Sequence, residues 1–274
     1  MAFKNQVVWI TGASSGIGEG LALAFAAAGA KLVLSARRAE RLAQVKQACR
    51  DAADVLLVPF DMLDEVGRAK AVDAVLKHYG HVDVMVQNAG ISQRAMIKDT
   101  ALHVDRAIME LDYFAVVALT KLILPSMLER NSGHFVVTSS VAGKMGVPVR
   151  SAYCAAKHAL HGFFDTLMVE CAPHNINVSL LVIAGVKSDV SLHALKGDGS
   201  KWGQMDDVQS QGMDASECAR RVLDGVAAKK HEINILTPPT DRFVWLRRFA
   251  PGLLYGMMGK RLRARGRAAA TQRP

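Results

Sequence analysis

The sequence predicts an α/β fold, an open and doubly wound parallel sheet of about seven strands in a three-layer α/β/α arrangement. Short runs rich in β-branched residues alternate with longer helical patterns, which is the order that builds parallel sheets. The first of these runs leads directly into a glycine-rich turn and a helix of small residues. Because half of the 274 residues are hydrophobic, the chain can bury one large core.

The elements follow one another in a regular order. Strands are predicted at residues 6–11, 31–35, 54–60, 82–86, 133–140, 176–183 and 232–236. Helices are predicted from the glycine turn to residue 28 and over residues 63–79, 100–128, 151–171 and 214–228. We expect Pro125 to interrupt the long helix near its end, because proline removes a backbone hydrogen bond.

Two regions of different character are predicted. Residues 1–240 contain no linker and form one domain, in which residues 186–212 make a long polar loop typical of lids and binding loops. Residues 241–274 form a basic amphipathic extension that carries a charge of +8 out of the total of +9. The nearly neutral domain has no basic face for reading DNA, so we predict no nucleic-acid partner.

The turn after the first strand predicts a site for phosphate. A strand, a glycine turn and a helix N-terminus together aim backbone N–H groups at an anion. Tight packing of the turn is the alternative explanation for the glycines. The candidate residues are Gly12, Ser14, Ser15, Gly16, Ile17 and Gly18.

The end of the second strand indicates which dinucleotide is bound. An acidic residue at this position favours NAD, whereas arginine accommodates the additional phosphate of NADP. The chain has Arg37 and Arg38 here and no acid. The alternative is that both arginines open the next helix on its solvent side, although cations at a helix start oppose the helix dipole.

Polar residues also follow the third and fourth strands, where ligands meet an open parallel sheet. Asp61 ends the third strand, and Asn88, Ala89 and Gly90 end the fourth. Asn88 is either a ligand contact or a buried amide that ties neighbouring strands together.

Tyr153 and Lys157 stand four residues apart, so a helix places them on one face. A tyrosine acts as an acid or base near neutral pH only if a nearby cation stabilises its phenolate. Lys157 is that cation, unless Tyr153 is a core aromatic and Lys157 a solvated charge.

The four cysteines form no CxxC pair, so we predict that they are free thiols in a reducing compartment. The N-terminus lacks the pattern of a signal peptide, and no apolar run is long enough to span a bilayer. We therefore expect a cytoplasmic protein, and we predict no metal site.

Five features in this order resemble the short-chain dehydrogenase/reductase family over residues 5–237. They are the Thr-Gly-Ala-Ser-Ser-Gly-Ile-Gly sequence at 11–18, Asp61, Asn88-Ala-Gly90, Ser140, and Tyr153-x-x-x-Lys157. The resemblance implies a Rossmann-like domain, a bound NADP, and a homodimer or homotetramer.

The resemblance also implies a mechanism. Tyr153 would be the general acid/base in hydride transfer between the cofactor and a carbonyl or alcohol. Lys157 would depress the tyrosine pKa and hold the nicotinamide ribose, and Ser140 would orient the substrate oxygen. Gly185, Val186 and Ser188 occupy the segment that usually meets the nicotinamide carboxamide.

Two positions depart from the family pattern. Asp112 stands where many members have an asparagine that helps to hold a water near the active lysine, eight residues before Thr120. Asp112 either takes part in the proton relay or is a tolerated substitution. Ala184-Gly185 replaces the usual Pro-Gly. These departures leave one alternative function, a non-catalytic or regulatory NADP-binding protein with impaired turnover.

The substrate and the extension are described only by the character of their residues. Residues 186–212 mix apolar and polar types and favour a medium or large apolar carbonyl or alcohol, such as a lipid, retinoid or steroid. The extension interleaves aromatic and aliphatic residues with arginines around a break at Pro251. This pattern fits a helix on an anionic membrane surface, or a helix packed on the domain or on a partner subunit.

Overall fold

The computed structural model describes residues 2–271, and for residue 208 and residues 265–271 it describes the backbone alone. Contacts divide the chain into two units, Met1–Ile235 and Leu236–Pro274. The sequence predicts this boundary five residues later, at residue 240. Residues 272–274 of the predicted extension lie outside the described residues.

The first unit is built on one sheet of seven strands, all parallel, in the order β3-β2-β1-β4-β5-β6-β7. This arrangement confirms the predicted doubly wound α/β fold. The strands are β1 Val7–Thr11, β2 Lys31–Ser35, β3 Asp54–Leu57, β4 Val84–Gln87, β5 Gly133–Thr138, β6 Ile176–Ile183 and β7 Glu232–Ile235.

Eight α-helices connect or follow these strands. They are α1 Gly16–Ala27, α2 Ala39–Ala48, α3 Glu65–Tyr79, α4 Leu102–Met109, α5 Ala115–Glu129, α6 Ser151–Glu170, α7 Asp207–Ser210 and α8 Ala215–Ala227. The predicted single helix over residues 100–128 is in fact α4 and α5, joined by a π-helical turn at Glu110–Phe114.

The expected interruption at Pro125 is wrong, since α5 continues through this proline to Glu129. Proline costs the helix one backbone hydrogen bond near its C-terminal end. Ile123 and Met127 on either side are fully buried. Packing of this apolar face therefore holds the helix together.

The helices cover both faces of the sheet because strand side chains alternate in direction. Val8 and Ile10 of β1 face the core beneath α1, α2 and α8. Val7 and Trp9 face the opposite core, which α3, α5 and α6 cover. Both faces of the central strand are apolar, as parallel sheets require.

The strand order places a crevice at the carboxyl ends of β1 and β4. From β1 the chain winds outward to β2 and β3, then returns to β4 on the other side of β1 and winds outward to β7. A ligand crevice opens where the winding reverses. The glycine turn after β1 and residues 88–90 after β4 therefore meet at this point.

All four cysteines of the first unit are buried free thiols. Burial raises the pKa of Cys49 to about 11, and the charge of Glu19 adds to the effect. Burial likewise raises the pKa of Cys218 to about 12. These thiols are packing residues and are not nucleophiles near neutral pH.

The second unit contains two helices, α9 Thr240–Phe249 and α10 Pro251–Thr271, and the predicted break at Pro251 separates them. The helices contact each other through cation–π pairs, Arg247 over Tyr255 and Arg261 over Phe243, each 5.8 Å from guanidinium carbon to ring centroid. Among the described residues, no helix has the length and apolar character that crossing a bilayer requires.

Candidate active site

The glycine turn between β1 and α1 is tightly folded. Gly12 and Gly16 have φ of 67° and 59°, which side-chain-bearing residues rarely adopt. A Cβ on Gly18 would lie 2.2 Å from the Gly12 carbonyl oxygen, so only glycine fits there. The turn therefore brings the N-terminal amides of α1 to the crevice, where they have no helical partner.

Arg38 lies against this turn. Its Nη2 donates to Ser14 Oγ at 3.0 Å and to Ser15 Oγ at 3.3 Å. Arg37 is mostly exposed, and its Nη1 lies 4.0 Å from Asp61 Oδ2. The predicted arginine pair thus adjoins the predicted phosphate turn, and Asp61 is beside it.

Asn88 ties three strands together. Its Nδ2 donates to Thr11 O at 3.2 Å and to Gly12 O at 3.4 Å, and its backbone N–H donates to Thr11 Oγ1 at 3.0 Å. From β5, Thr138 Oγ1 donates to Asn88 Oδ1 at 3.2 Å. These bonds realise the strand-tie alternative for Asn88. Its contact with a cofactor stays a prediction, as does that of Ala89.

Tyr153 and Lys157 lie in the first two turns of α6, and the Lys157 ammonium is 5.5 Å from the centroid of the Tyr153 ring. Lys157 is only 4% exposed, although lysine normally reaches solvent. Its Nζ donates to the Thr138 carbonyl at 3.0 Å. The helix spacing therefore does place a buried cation beside the tyrosine.

The second partner of Lys157 is Asp112, whose carboxylate Oδ2 lies 3.3 Å from Nζ. Asp112 is fully buried in the π-helical turn, and its Oδ1 accepts a hydrogen bond from the Ile91 N–H at 2.8 Å. A Cβ on Gly90 would lie 3.1 Å from Asp112 Oδ1, a tight contact that glycine avoids. Asp112 thus connects the segment that follows β4 to α6, the helix that carries Tyr153 and Lys157.

The charges of this pair depend on each other. Burial raises the pKa of Asp112, while the Lys157 ammonium and the Ile91 N–H partly offset that rise. For Lys157, burial acts to lower the pKa, but the negative charges of Asp112 and Tyr153 outweigh it and the pKa is raised. Lys157 is therefore held as an ammonium ion, which is the form that stabilises a neighbouring phenolate.

The two serines after β5 have different partners. Ser140 Oγ accepts a hydrogen bond from the Ala142 N–H at 3.1 Å and caps a short 3₁₀ helix, Val141–Gly143. Ser139 is buried, and its hydroxyl lies 2.9 Å from His161 Nε2. Ser140 is thus the serine whose side chain is not drawn into the core.

His161 is a partner that the sequence did not reveal. Burial lowers its pKa to about 4, and the nearby charge of Lys144 adds to the effect. His161 is therefore neutral near pH 7 and serves to anchor the end of β5. Its spacing of 22 residues from Ser139 matches no local pattern. Thr120, eight residues after Asp112 in the sequence, accepts a hydrogen bond from Gln87 Nε2 at 2.5 Å.

The segment after β6 covers the glycine turn. Gly185 has φ of 67°, and Val186 is buried. A Cβ on Gly16 would lie 3.1 Å from the Ser188 Cβ, so the two segments are in close contact. A cavity of about 410 Å³ opens here, lined by Gly16, Lys187, Ser188, Asp189, Met205, Gln209 and Ser210. Of the predicted site residues, Gly16 and Ser188 therefore border this cavity.

Comparisons with known proteins agree with this site. The sequence profile of the short chain dehydrogenase family matches residues 6–197. The chain is 43% identical over 267 residues to dehydrogenase/reductase SDR family member 7B of Bos taurus, covering 95% of the chain and 82% of that protein. It is 40% identical to dehydrogenase/reductase SDR family protein 7-like of Drosophila melanogaster, covering 94% and 82%.

Solved structures show the same fold. A short-chain dehydrogenase/reductase from Burkholderia phymatum in complex with NAD superposes with a TM-score of 0.81 at 25% identity, covering 92% of this chain and 96% of that one. Levodione reductase superposes with a TM-score of 0.74 at 26% identity, covering 85% and 96%.

The buried ion pair predicts a stability effect. Asp112→Ala leaves the Lys157 ammonium buried without its carboxylate, so we expect the free energy of unfolding to fall by about 3–5 kcal/mol. Asp112→Asn retains an acceptor for the Ile91 N–H and costs less. Urea unfolding monitored by circular dichroism measures both. Adding Lys157→Met to Asp112→Ala should recover most of the loss, and a loss below about 1 kcal/mol in the single variant would contradict this account.

Proposed function

The chain belongs to the short-chain dehydrogenase/reductase family, and from that premise we propose that it transfers a hydride between NADP(H) and a carbonyl or secondary alcohol of a medium or large apolar substrate. The observation that carries the proposal is that the Lys157 side chain is buried and that its ammonium lies 5.5 Å from the centroid of the Tyr153 ring. A lysine buried beside a tyrosine and paired with a buried carboxylate is an arrangement typical of functional sites.

Tyr153 moves the proton in this proposal. In reduction its hydroxyl donates a proton to the carbonyl oxygen, and in oxidation its phenolate removes one from the alcohol. When bound, NADPH would supply the hydride in reduction and NADP⁺ would accept it in oxidation. Lys157 stabilises the phenolate that forms, and this effect is strong because the ammonium is shielded from water. Ser140 orients the substrate oxygen with a hydroxyl that the core does not engage.

Asp112 enters the proposal through Lys157. With one carboxylate oxygen on the Ile91 N–H and the other 3.3 Å from Nζ, it keeps Lys157 charged and in place. In this arrangement Asp112 contacts the lysine directly, at the position where the family asparagine helps to hold a water. In the alternative, a non-catalytic NADP-binding protein, Tyr153 would transfer no proton although Lys157 lies beside it.

The arginine pair supports NADP as the cofactor. Arg38 donates to both serines of the phosphate turn, and Arg37 is exposed beside it. No acidic residue stands at the end of β2, where ribose hydroxyls would be bound. The Burkholderia structure contains NAD, so the preference is a property that we assign from this chain's own residues. Gly12, Gly16, Gly18 and Ser188 would hold the pyrophosphate and nicotinamide portions.

The surroundings of Tyr153 support an apolar substrate. Its ring packs against a buried cluster that contains Val104 and Ile108. Leu195, which belongs to the substrate loop formed by residues 186–212, packs against the same cluster. A ligand whose oxygen reaches Tyr153 is therefore bordered by aliphatic side chains on the loop side. A homodimer or homotetramer stays a prediction that rests on the family resemblance. A cytoplasmic location stays a prediction that rests on the free cysteines and on the sequence of the N-terminus.

The basic extension supports contact with an anionic membrane surface. Trp245 and Phe249 pair 5.0 Å apart and are 61% and 67% exposed, and Leu253 is 57% exposed. Arginines stand beside these apolar side chains along both helices. Exposed apolar residues flanked by cations bind the interface of anionic bilayers.

Removal of the Tyr153 hydroxyl tests the mechanism. In Tyr153→Phe we expect kcat for reduction of apolar ketones to fall by at least about 100-fold, because proton transfer contributes that much or more. NADPH absorbance measures turnover, and cofactor fluorescence shows that binding is retained. Tyr113→Phe removes a hydroxyl from the same apolar cluster and should keep most of the activity. Turnover that survives in Tyr153→Phe would overturn the mechanism.

Removal of the Arg38 guanidinium tests the cofactor preference. In Arg38→Ala we expect the Kd for NADPH to rise by about 10- to 100-fold and the Kd for NADH to change little. The reason is that only NADPH carries the additional phosphate on the adenosine ribose. Fluorescence titration measures both. Arg41→Ala removes a guanidinium from the exposed side of the same helix and is the matched control. Equal losses for the two cofactors in Arg38→Ala would contradict the assignment.

Removal of an exposed tryptophan tests the membrane proposal. The full chain should float with phosphatidylserine-containing vesicles and not with pure phosphatidylcholine. We expect Trp245→Ser to weaken this partitioning by about tenfold or more, because the ring no longer enters the interface. Val66→Ser changes an equally exposed apolar residue of the first unit and is the control. Equal flotation of the full chain and a chain without residues 241–274 would exclude attachment by the extension.

A further inference from the structure

Three charged side chains meet where the substrate loop approaches the start of α6. Asp206 Oδ2 accepts hydrogen bonds from Arg94 Nε at 2.8 Å, from Arg94 Nη2, and from Arg150 Nη2 at 3.0 Å. The exposed fractions of the Arg94, Asp206 and Arg150 side chains are only 6%, 19% and 22%. Each residue comes from a different part of the fold, since Arg94 follows β4, Arg150 precedes α6 and Asp206 belongs to the loop.

The substrate loop is already attached to the Arg94 segment by its backbone. The Arg94 N–H donates to the Leu195 carbonyl and the Leu195 N–H donates to the Ser92 carbonyl, both at 2.8 Å. Between these bonds and Asp206 the loop folds back on itself, with the Trp202 N–H donating to the Ala194 carbonyl at 2.7 Å. Asp206 therefore makes a second attachment at the other end of the folded segment.

The direction of the Asp206 carboxylate is informative. Asp206 precedes α7, a position where aspartate normally accepts hydrogen bonds from the first amides of the helix. Its side chain makes no such bond and contacts the arginines instead. Asp206 therefore does not cap its own helix and instead contacts Arg94, which lies 112 positions earlier in the chain.

The charges of the cluster favour the closed loop. Two guanidinium groups share a single carboxylate, whereas Lys157 has Asp112 to itself. Burial lowers the pKa of Arg150, and the charge of Arg94 adds to that effect, while Asp206 opposes it. Withdrawal of Asp206 would leave two neighbouring and mostly buried guanidinium groups without this counter-ion, which is costly.

We propose that Asp206, Arg94 and Arg150 form an ionic latch that holds the substrate loop against the start of the catalytic helix. All three are positioning residues, because they act on substrate through the loop. The latch keeps Leu195 packed against the apolar cluster that Tyr153 also contacts, so a bound apolar substrate is enclosed on the loop side. Substrate enters and product leaves when the Asp206 carboxylate separates from the two arginines.

Hydrogen exchange of the whole chain without substrate measures the latch directly. In Asp206→Asn we expect the loop amides of residues 192–203 to exchange at least about tenfold faster than in the unaltered protein, because charge-assisted bonds are lost. Asp207→Asn makes the same change one residue later at an exposed side chain and should leave the exchange unaltered. Equal exchange in the two variants would overturn the latch.

Coupling between the partners separates a latch from general destabilisation. Arg150→Gln should also accelerate loop exchange, and the double variant with Asp206→Asn should add little to either single change. Full additivity would contradict a shared interaction. Strands β1 and β4, remote from the loop, should exchange as before in every variant.

A kinetic experiment tests the positioning role and rests on the proposed function. Asp206→Asn should raise KM for an apolar ketone about tenfold or more with a smaller change in kcat, because the loop encloses substrate and Tyr153 is untouched. Since the exchange experiment needs no turnover, it decides the latch even if hydride transfer is not the activity. A fall in kcat with unchanged KM would contradict the positioning role.

Discussion

The buried ion pair between Asp112 and Lys157 is the interaction on which the crevice depends. A charge removed from water is costly unless it has a partner, so neither side chain tolerates loss of the other. This requirement fixes their neighbours as well. Gly90 leaves room for the Asp112 carboxylate. The Ile91 N–H donates to Asp112, and Lys157 donates to the Thr138 carbonyl. Asp112 itself lies in the π-helical turn.

The sheet and most of the candidate site follow from local patterns. Alternating burial of Val7 and Trp9 against Val8 and Ile10 is inherent in a strand, and a strand followed by glycines and a helix predicts where an anion binds. Chain reversal between β3 and β4 then brings the glycine turn beside Asn88. These features depend on neighbours in sequence or on general rules of winding.

The remaining features depend on contacts between distant residues. Nothing in the sequence around residue 112 indicates a π-helical turn, and the charged partner of Asp112 lies on the distant helix α6. Helix α5 passes through Pro125 because packing outweighs one lost bond. Ser139 and His161 are 22 residues apart in the sequence, and Arg94 and Asp206 are 112 residues apart. The strand period of 2 and the helix period of 3.6 residues predict only local contacts, so they do not indicate these pairs.

The buried cysteines have a practical consequence. Cys49, Cys154, Cys171 and Cys218 are all inside the first unit, and burial raises the pKa of each thiol. Reagents that alkylate thiolates therefore find few reactive sites on the native protein. A single cysteine introduced at an exposed position such as Ser200 would be the preferred target for a fluorophore or spin label, with the four native cysteines left in place.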